Sequence, residues 1–372
     1  MRAVTKILLL PPTIVMGNKG DEAMLQVVLQ NILSSNVEVL APFPKIPSIS
    51  RYDVSWVPHF KSFDIYRLRF RWSLWFFYMS FRIIFHRLNL VVIGADCLDS
   101  NRPDRLLLLL QYLLGGKIFV FGASYRKNPG FLSRIVFRII GSEKICLCSR
   151  DPESRRRLEN VSGKKVHQVG DLAFLLQASV CTDPKINSFV SGGGSKKLIA
   201  VFPAVRGVFD FGHTLKQYLK VLNELQDEYR ILVINHAGDK QTEMLCEAIY
   251  KGIEGEKLLI QDVDINEMRS YLASASFALS SLMHASVACL CLGIPPILVE
   301  YADKATGIFN EFECAEMLLN DPSGFPAKVA WLKANEAELR ARISKNLPKM
   351  KEMSQLNFSY FNQFFSRELG KL

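Results

Sequence analysis

The sequence predicts an α/β protein of two doubly wound domains followed by a helical tail. Three observations carry this. Short apolar runs of strand length alternate with stretches of helical period along most of the 372 residues. Strand after strand ends in a small or polar group, as in open parallel sheets whose sites lie beyond the strand C-termini. The pattern then begins again after 182–197, a stretch rich in Gly, Ser and Asp with few apolar residues. The expected division is 1–181 for the N-terminal domain, 182–197 for a linker, 198–350 for the C-terminal domain and 351–372 for a C-terminal helix.

In order, Lys6 to Leu10 reads as a buried strand, Gly17-Asn18-Lys19-Gly20-Asp21-Glu22-Ala23 as a glycine loop, and Met24, Leu25, Val28, Leu29 and Ile32 as the apolar face of a helix. The loop and helix start form either an anion site or a tight turn with Asp21 near the N-cap. Further strands are expected at Val37 to Leu40, Leu90 to Ile93, Lys117 to Phe121, Lys144 to Cys148 and Val166 to Val169, with helices at Arg105 to Leu114, Phe131 to Ile140 and Pro152 to Glu159. In the second half, strands at Leu198 to Phe202, Ile231 to Ile234, Leu258, Phe277 to Leu279 and Ile297 to Val299 alternate with helices near Leu215 to Leu225, Gln241 to Ile249 and Asn266 to Ala275. The chain from Phe325 onward is helical and charged.

Hydrophobic residues make up 49% and charged residues 22%, the proportions of a globular protein. The formal net charge of +10 attracts polyanions, anionic lipid or phosphorylated small molecules. The 8 cysteines are scattered through apolar runs without zinc spacing, so reduced core thiols in a cytoplasmic protein are expected, and no metal. Arg2 and Lys6 precede an apolar run, but Pro11-Pro12 splits it and no small-residue cleavage site follows, which favours a core strand over a signal peptide.

Between Phe60 and Leu88 aromatics interleave with Arg67, Arg69, Arg71, Arg82 and Arg87, and Asp64 is the one acid. As a helix this segment, 60–88, either lies in a membrane interface or packs as a core helix flanked by arginines. No nucleic-acid module accompanies it, and nucleic acid is not expected as a partner.

The stretch from Leu279 to Phe309 carries the candidate chemistry. Ser280 and Ser281 lead to His284 near a helix start, and Gly293-Ile294-Pro295-Pro296 stops the helix. A short strand then ends at Tyr301-Ala302-Asp303-Lys304. Strand ends and helix starts face the ligand crevice of such sheets, so His284 and Lys304 either share a site or are a satisfied histidine and a solvated lysine.

Taken together, Gly17-Asn18-Lys19-Gly20-Asp21-Glu22-Ala23, Gly94-Ala95-Asp96, Arg150-Asp151-Pro152-Glu153-Ser154, Asp171-Leu172-Ala173-Phe174, His236, His284 and Tyr301 to Phe309 resemble, in order, the polysaccharide pyruvyltransferase family. The resemblance implies two Rossmann-like domains facing across a cleft, as in GT-B glycosyltransferases. It also implies transfer of a pyruvyl group from phosphoenolpyruvate onto two hydroxyls of a sugar, as a cyclic ketal with release of phosphate, and no metal or organic cofactor. On that reading His284 is the general acid–base. Arg206 and Lys304, with His236 and Ser281, hold the donor, while Asn18, Asp21, Asp96 and Arg150 face the acceptor. The residue-level alternatives are Asp21 as a cap and Arg150 paired with Asp151. Where the family usually reads Arg-Leu-His, this chain has Leu282-Met283-His284, which removes a bidentate cation from the donor site. The acceptor is a sugar or glycan, free or lipid-linked. A lipid-linked acceptor would set the protein on the inner face of the cytoplasmic membrane, touching it through 60–88. A nucleotide-sugar glycosyltransferase on the same fold and a non-catalytic family member are the alternatives.

Overall fold

The structure, a computed structural model, describes residues 5–10, 18–32, 37–41, 55–56, 80–81, 83–85, 88–94, 104–125, 130–140, 143–192, 194–205, 209–300 and 305–369. The chain divides into two compact units: one holds 1–16, 24–172 and 352–372, the other 17–23 and 173–351.

The first unit contains β1 (Thr5–Leu10), most of α1 (Lys19–Ile32), β2 (Val37–Ala41), β3 (Ser55–Trp56), β4 (Asn89–Ile93), α2 (Asp104–Leu113), β5 (Ile118–Ala123), α3 (Phe131–Ile139), β6 (Ile145–Ser149), α4 (Pro152–Ser162) and β7 (His167–Gln168). Its strands form a parallel sheet in the order β3-β2-β1-β4-β5-β6-β7. Strand alternation gives it two apolar faces. Leu90, Val92, Ile118 and Val120 pack with Leu107 and Leu108 of α2, Val136 and Phe137 of α3 and Leu158 of α4.

On the other face Phe119 and Phe121 meet Phe361 of the C-terminal helix, with ring centroids 5.3 and 5.5 Å away, and Phe358 lies 5.4 Å from Phe121. Polar bonds fix the same helix at the strand ends. Asn357 accepts from the Gly122 N–H and donates to the Gly170 carbonyl, both at 3.0 Å, and Ser354 donates to the Asp171 carbonyl at 2.7 Å.

The second unit continues with α5 (Pro184–Ser191), β8 (Lys197–Phe202), α6 (Phe211–Leu225), β9 (Tyr229–Ile234), α7 (Lys240–Gly252), β10 (Lys257–Ile260), α8 (Ile265–Leu272), β11 (Ala275–Ser280), α9 (Met283–Leu290), β12 (Pro296–Val299), α10 (Thr306–Glu311), β13 (Leu318–Leu319) and α11 (Phe325–Leu369). Its parallel sheet runs β10-β9-β8-β11-β12-β13. Aspartates cap its helices where the chain leaves a loop. Asp210, Asp239 and Asp264 accept from the backbone N–H of His213, Thr242 and Asn266 at 2.7, 2.9 and 2.8 Å.

Two expectations change. The 182–197 stretch, expected as a linker, contains α5, capped by Asp183 and opened by Pro184, and groups with the second unit. The helix expected at 351–372 is the end of the 45-residue α11, whose residues from Glu352 onward group with the first unit. The segment 60–88 lies outside the described residues except at 80–81, 83–85 and 88. Among the described residues, no helix is long and apolar enough to cross a membrane. Seven cysteines are described, and all are buried and free.

Candidate functional site

The sheet of the second unit reverses its winding between β8 and β11, and the ends of β8, β9 and β11 bring the candidate groups together there. After β9 come Asn235 and His236; after β11 come Ser281, Leu282 and α9, with His284 as its second residue. The first turn of α1 belongs to the same unit: the Lys19 N–H donates to the His236 carbonyl at 3.2 Å.

Gly20 of that turn lies directly against His284. A Cβ at position 20 would fall 1.9 Å from His284 Nδ1 and 2.2 Å from its Cγ. Glycine is therefore required there by close approach, not by backbone angle. Asn18 caps the turn: its Oδ1 accepts from the Gly20 N–H at 3.0 Å and its carbonyl from Glu22 N–H at 3.1 Å. The cap is thus Asn18, three residues before Asp21, the alternative read in the sequence. Asp21 sits buried inside the first turn, where a carboxylate is favoured by the helix dipole.

His236 is 2% exposed, and its Nε2 is buried with no hydrogen-bond partner. Burial, then the nearness of His284 and of Lys19, pushes its pKa down to about 3. The imidazole is consequently neutral at ordinary pH. The edge of its ring system meets Phe202 at 5.9 Å in a T-shaped pair. In its neutral form the ring can give or take a hydrogen bond.

Ser281, expected at the donor, is committed elsewhere. Its hydroxyl pairs with the buried Tyr218 phenol at 2.9 Å and its N–H donates to the Phe202 carbonyl at 2.9 Å. Burial raises the Tyr218 phenol well above its ordinary range, so it stays protonated. Ser280 shapes the next step by accepting from Leu282 N–H at 3.0 Å and donating to Leu282 O at 2.9 Å. These bonds set the turn that presents His284, and Leu282 itself is buried.

Glu300 follows β12. Its carboxylate accepts from the backbone N–H of Ala305 and Thr306 at 2.7 and 3.0 Å and from the Thr306 hydroxyl at 2.7 Å. Glu300 thereby ties the end of β12 to the start of α10; Lys304 lies outside the described residues, as do Arg206 and Asp96. Sequence reasoning passed over Glu300, yet an acid directly after a strand and before a Thr-Gly helix start was the available signal. Tyr218 carried no such signal, and Gly20 was legible only as part of the glycine loop.

Arg150 belongs to the first unit and is not a member of this group. Its Nε donates to Ser124 Oγ and its Nη1 to Asp171 Oδ2, both at 2.6 Å, with side-chain exposures of 1% for Arg150 and 0% for Asp171. The anticipated pairing with Asp151 does not form, because Asp151 caps α4 by accepting from the Ser154 N–H at 2.7 Å. Among the described residues no group of three or more His, Cys, Asp or Glu side chains could hold a metal ion.

A family described as polysaccharide pyruvyl transferase matches residues 18–303. No curated protein sequence matches the chain. Solved structures similar to it include a putative UDP-N-acetylglucosamine 2-epimerase from Listeria monocytogenes, with 12% identity and a TM-score of 0.67 over 98% of both chains. The UDP-GlcNAc 2-epimerase from Neisseria meningitidis bound to UDP-GlcNAc gives 10% identity and a TM-score of 0.63 over 96% of this chain and 100% of that one. A glycosyltransferase from Rickettsia africae gives 10% identity and 0.61 over 97% and 99%. At these identities the likeness is one of fold, GT-B-like along the whole chain. The match over 18–303 takes in both the Gly20 turn and the His284 helix that packs on it, and the chain belongs to the polysaccharide pyruvyl transferase family.

Proposed function

We propose that the protein transfers a pyruvyl group from phosphoenolpyruvate to a sugar of a polysaccharide or lipid-linked glycan. The observation that carries the reading is His284 at the strand-end switch point, held against Gly20 within the span of the family match. In the reaction the enol CH2 takes a proton and becomes the methyl group. Two sugar hydroxyls form C–O bonds to the former enol carbon and lose their protons. The C–O bond to phosphate breaks, so the products are a cyclic ketal and inorganic phosphate. Protons are thus both given and taken within one cycle, which suits an imidazole. His284 is assigned that exchange. Arg206 and Lys304 are assigned the donor's negative charges, and neutral His236 a hydrogen bond to the donor. Asn18 and Asp21 are assigned the acceptor side, and Ser281 and Arg150 maintain the protein's own structure.

The test is phosphate release from phosphoenolpyruvate with a panel of glycan acceptors, read against His284→Ala. Release that His284→Ala abolishes supports the reading; none with any acceptor, together with stabilisation by UDP, moves the protein to nucleotide-sugar transfer. That second reading is favoured by the buried Leu282 in place of the usual arginine and by the UDP-GlcNAc bound to the Neisseria neighbour.

A further inference from the structure

Eleven large apolar side chains are exposed among the described residues, and nine of them cluster in one part of the first unit; Val180 and Met244 are the other two. Three of the nine lie within 81–85, three on or beside α2, and three on α3. Consecutive crossovers from β4 to β5 to β6 run in one direction across the sheet, which puts α2 and α3 side by side on the same face. Ile83, Leu107, Leu108, Val136 and Phe137 share the core beneath them. The outer side carries large apolar groups as well: Leu113 is 70% exposed, Phe131 74% and Phe85 66%.

A monomer rarely gathers its exposed apolar side chains in this way without a partner for them. The charge pattern identifies the partner. On α3 the outward residues are Phe131, Arg134, Ile135, Arg138 and Ile139, with arginines set among the apolar groups. The sequence contains no Asp or Glu from Arg105 to Ser142. No ion pair neutralises Arg134 or Arg138 among the described residues. Apolar side chains that can enter the acyl boundary, with arginines level with the headgroups and no acid between them, match an anionic bilayer surface. We infer that the outer face of α2 and α3, with Phe81, Ile84 and Phe85, docks the protein on an anionic membrane without spanning it. The inference does not depend on the reaction and would bring a lipid-linked acceptor to the enzyme.

The test is flotation of the full-length protein with vesicles of equal parts phosphatidylcholine and phosphatidylglycerol, against phosphatidylcholine alone. Flotation with the anionic vesicles only is expected. Leu113→Ser/Phe131→Ser/Ile135→Ser should abolish it, and Arg134→Gln/Arg138→Gln should weaken partitioning about fivefold for each arginine. Because all five side chains are exposed, melting temperatures should not change; if the triple variant does not fold, the arginine pair carries the test. Wild-type protein that stays down with anionic vesicles overturns the inference. So does flotation that neither variant reduces. A concentration-dependent dimer dissolved by the triple variant, without flotation, also overturns it and makes this face a contact between copies of the chain.

Discussion

At position 20 a single methyl group decides where an imidazole can sit. Alanine is the better helix former by about 1 kcal/mol, but its Cβ would overlap His284 Nδ1 at 1.9 Å, so the ring must turn or the helix start must withdraw. Gly20→Ala is expected to lower kcat for phosphate release about a hundredfold, the scale of an ångström's misplacement, and, because the overlap reaches His284 Cβ at 2.3 Å, to lower stability by about 1–3 kcal/mol. His236 makes a different prediction. The native state keeps it neutral down to about pH 3, whereas the unfolded chain protonates near 6.5. The unfolded state binds more protons inside that window, so stability present above it is lost as pH falls, at about 1.4 kcal/mol per pH unit. Denaturant melts stepped through the window should show that slope, and His236→Gln should flatten it. Neither contact was legible in the sequence, because Gly20, His236 and His284 become neighbours only when remote segments fold together. What could be read was that each stands at a strand end or a helix start.

At the scale of elements, Arg150 and Asp171 join the end of β6 to the loop after β7 through a dry ion pair. Asp171→Asn leaves a buried guanidinium short of its countercharge and should cost about 3–5 kcal/mol in denaturant unfolding, whereas Arg150→Met/Asp171→Leu should recover much of it. Sequence proximity suggested Asp151 as the partner, but a residue just before Pro152 is better placed to cap a helix than to turn back on its neighbour. The same signal, Asp183 followed by Pro184, was present in the supposed linker, where polar composition concealed a helix. The parallel strands were easy to read because both faces of each sheet are covered and their runs are continuously apolar. The end of α11 was legible as a helix able to pack back on the first domain, but not which side chains it would bury there. Phe361 is 2% exposed between Phe119 and Phe121, and Phe361→Ala should destabilise the protein by about 3–5 kcal/mol.

For the molecule as a whole, ligand linkage separates the readings of function most cleanly. Phosphoenolpyruvate at a hundredfold excess over its Kd should stabilise the native state by about 2.7 kcal/mol. A thermal shift that appears with phosphoenolpyruvate, not with UDP, and disappears in Arg206→Ala is the expected outcome. The first unit is also assembled from separated parts of the chain, with 352–372 completing what 1–16 and 24–172 begin. On a ribosome, synthesis runs in one direction and domains tend to close in the order they emerge. Here Phe119 and Phe121 of the sheet made first stay uncovered until the distant end of α11, with Phe358 and Phe361, has been made. A chain cut just before Glu352 would therefore leave the earliest-made sheet with one apolar face bare, open to aggregation.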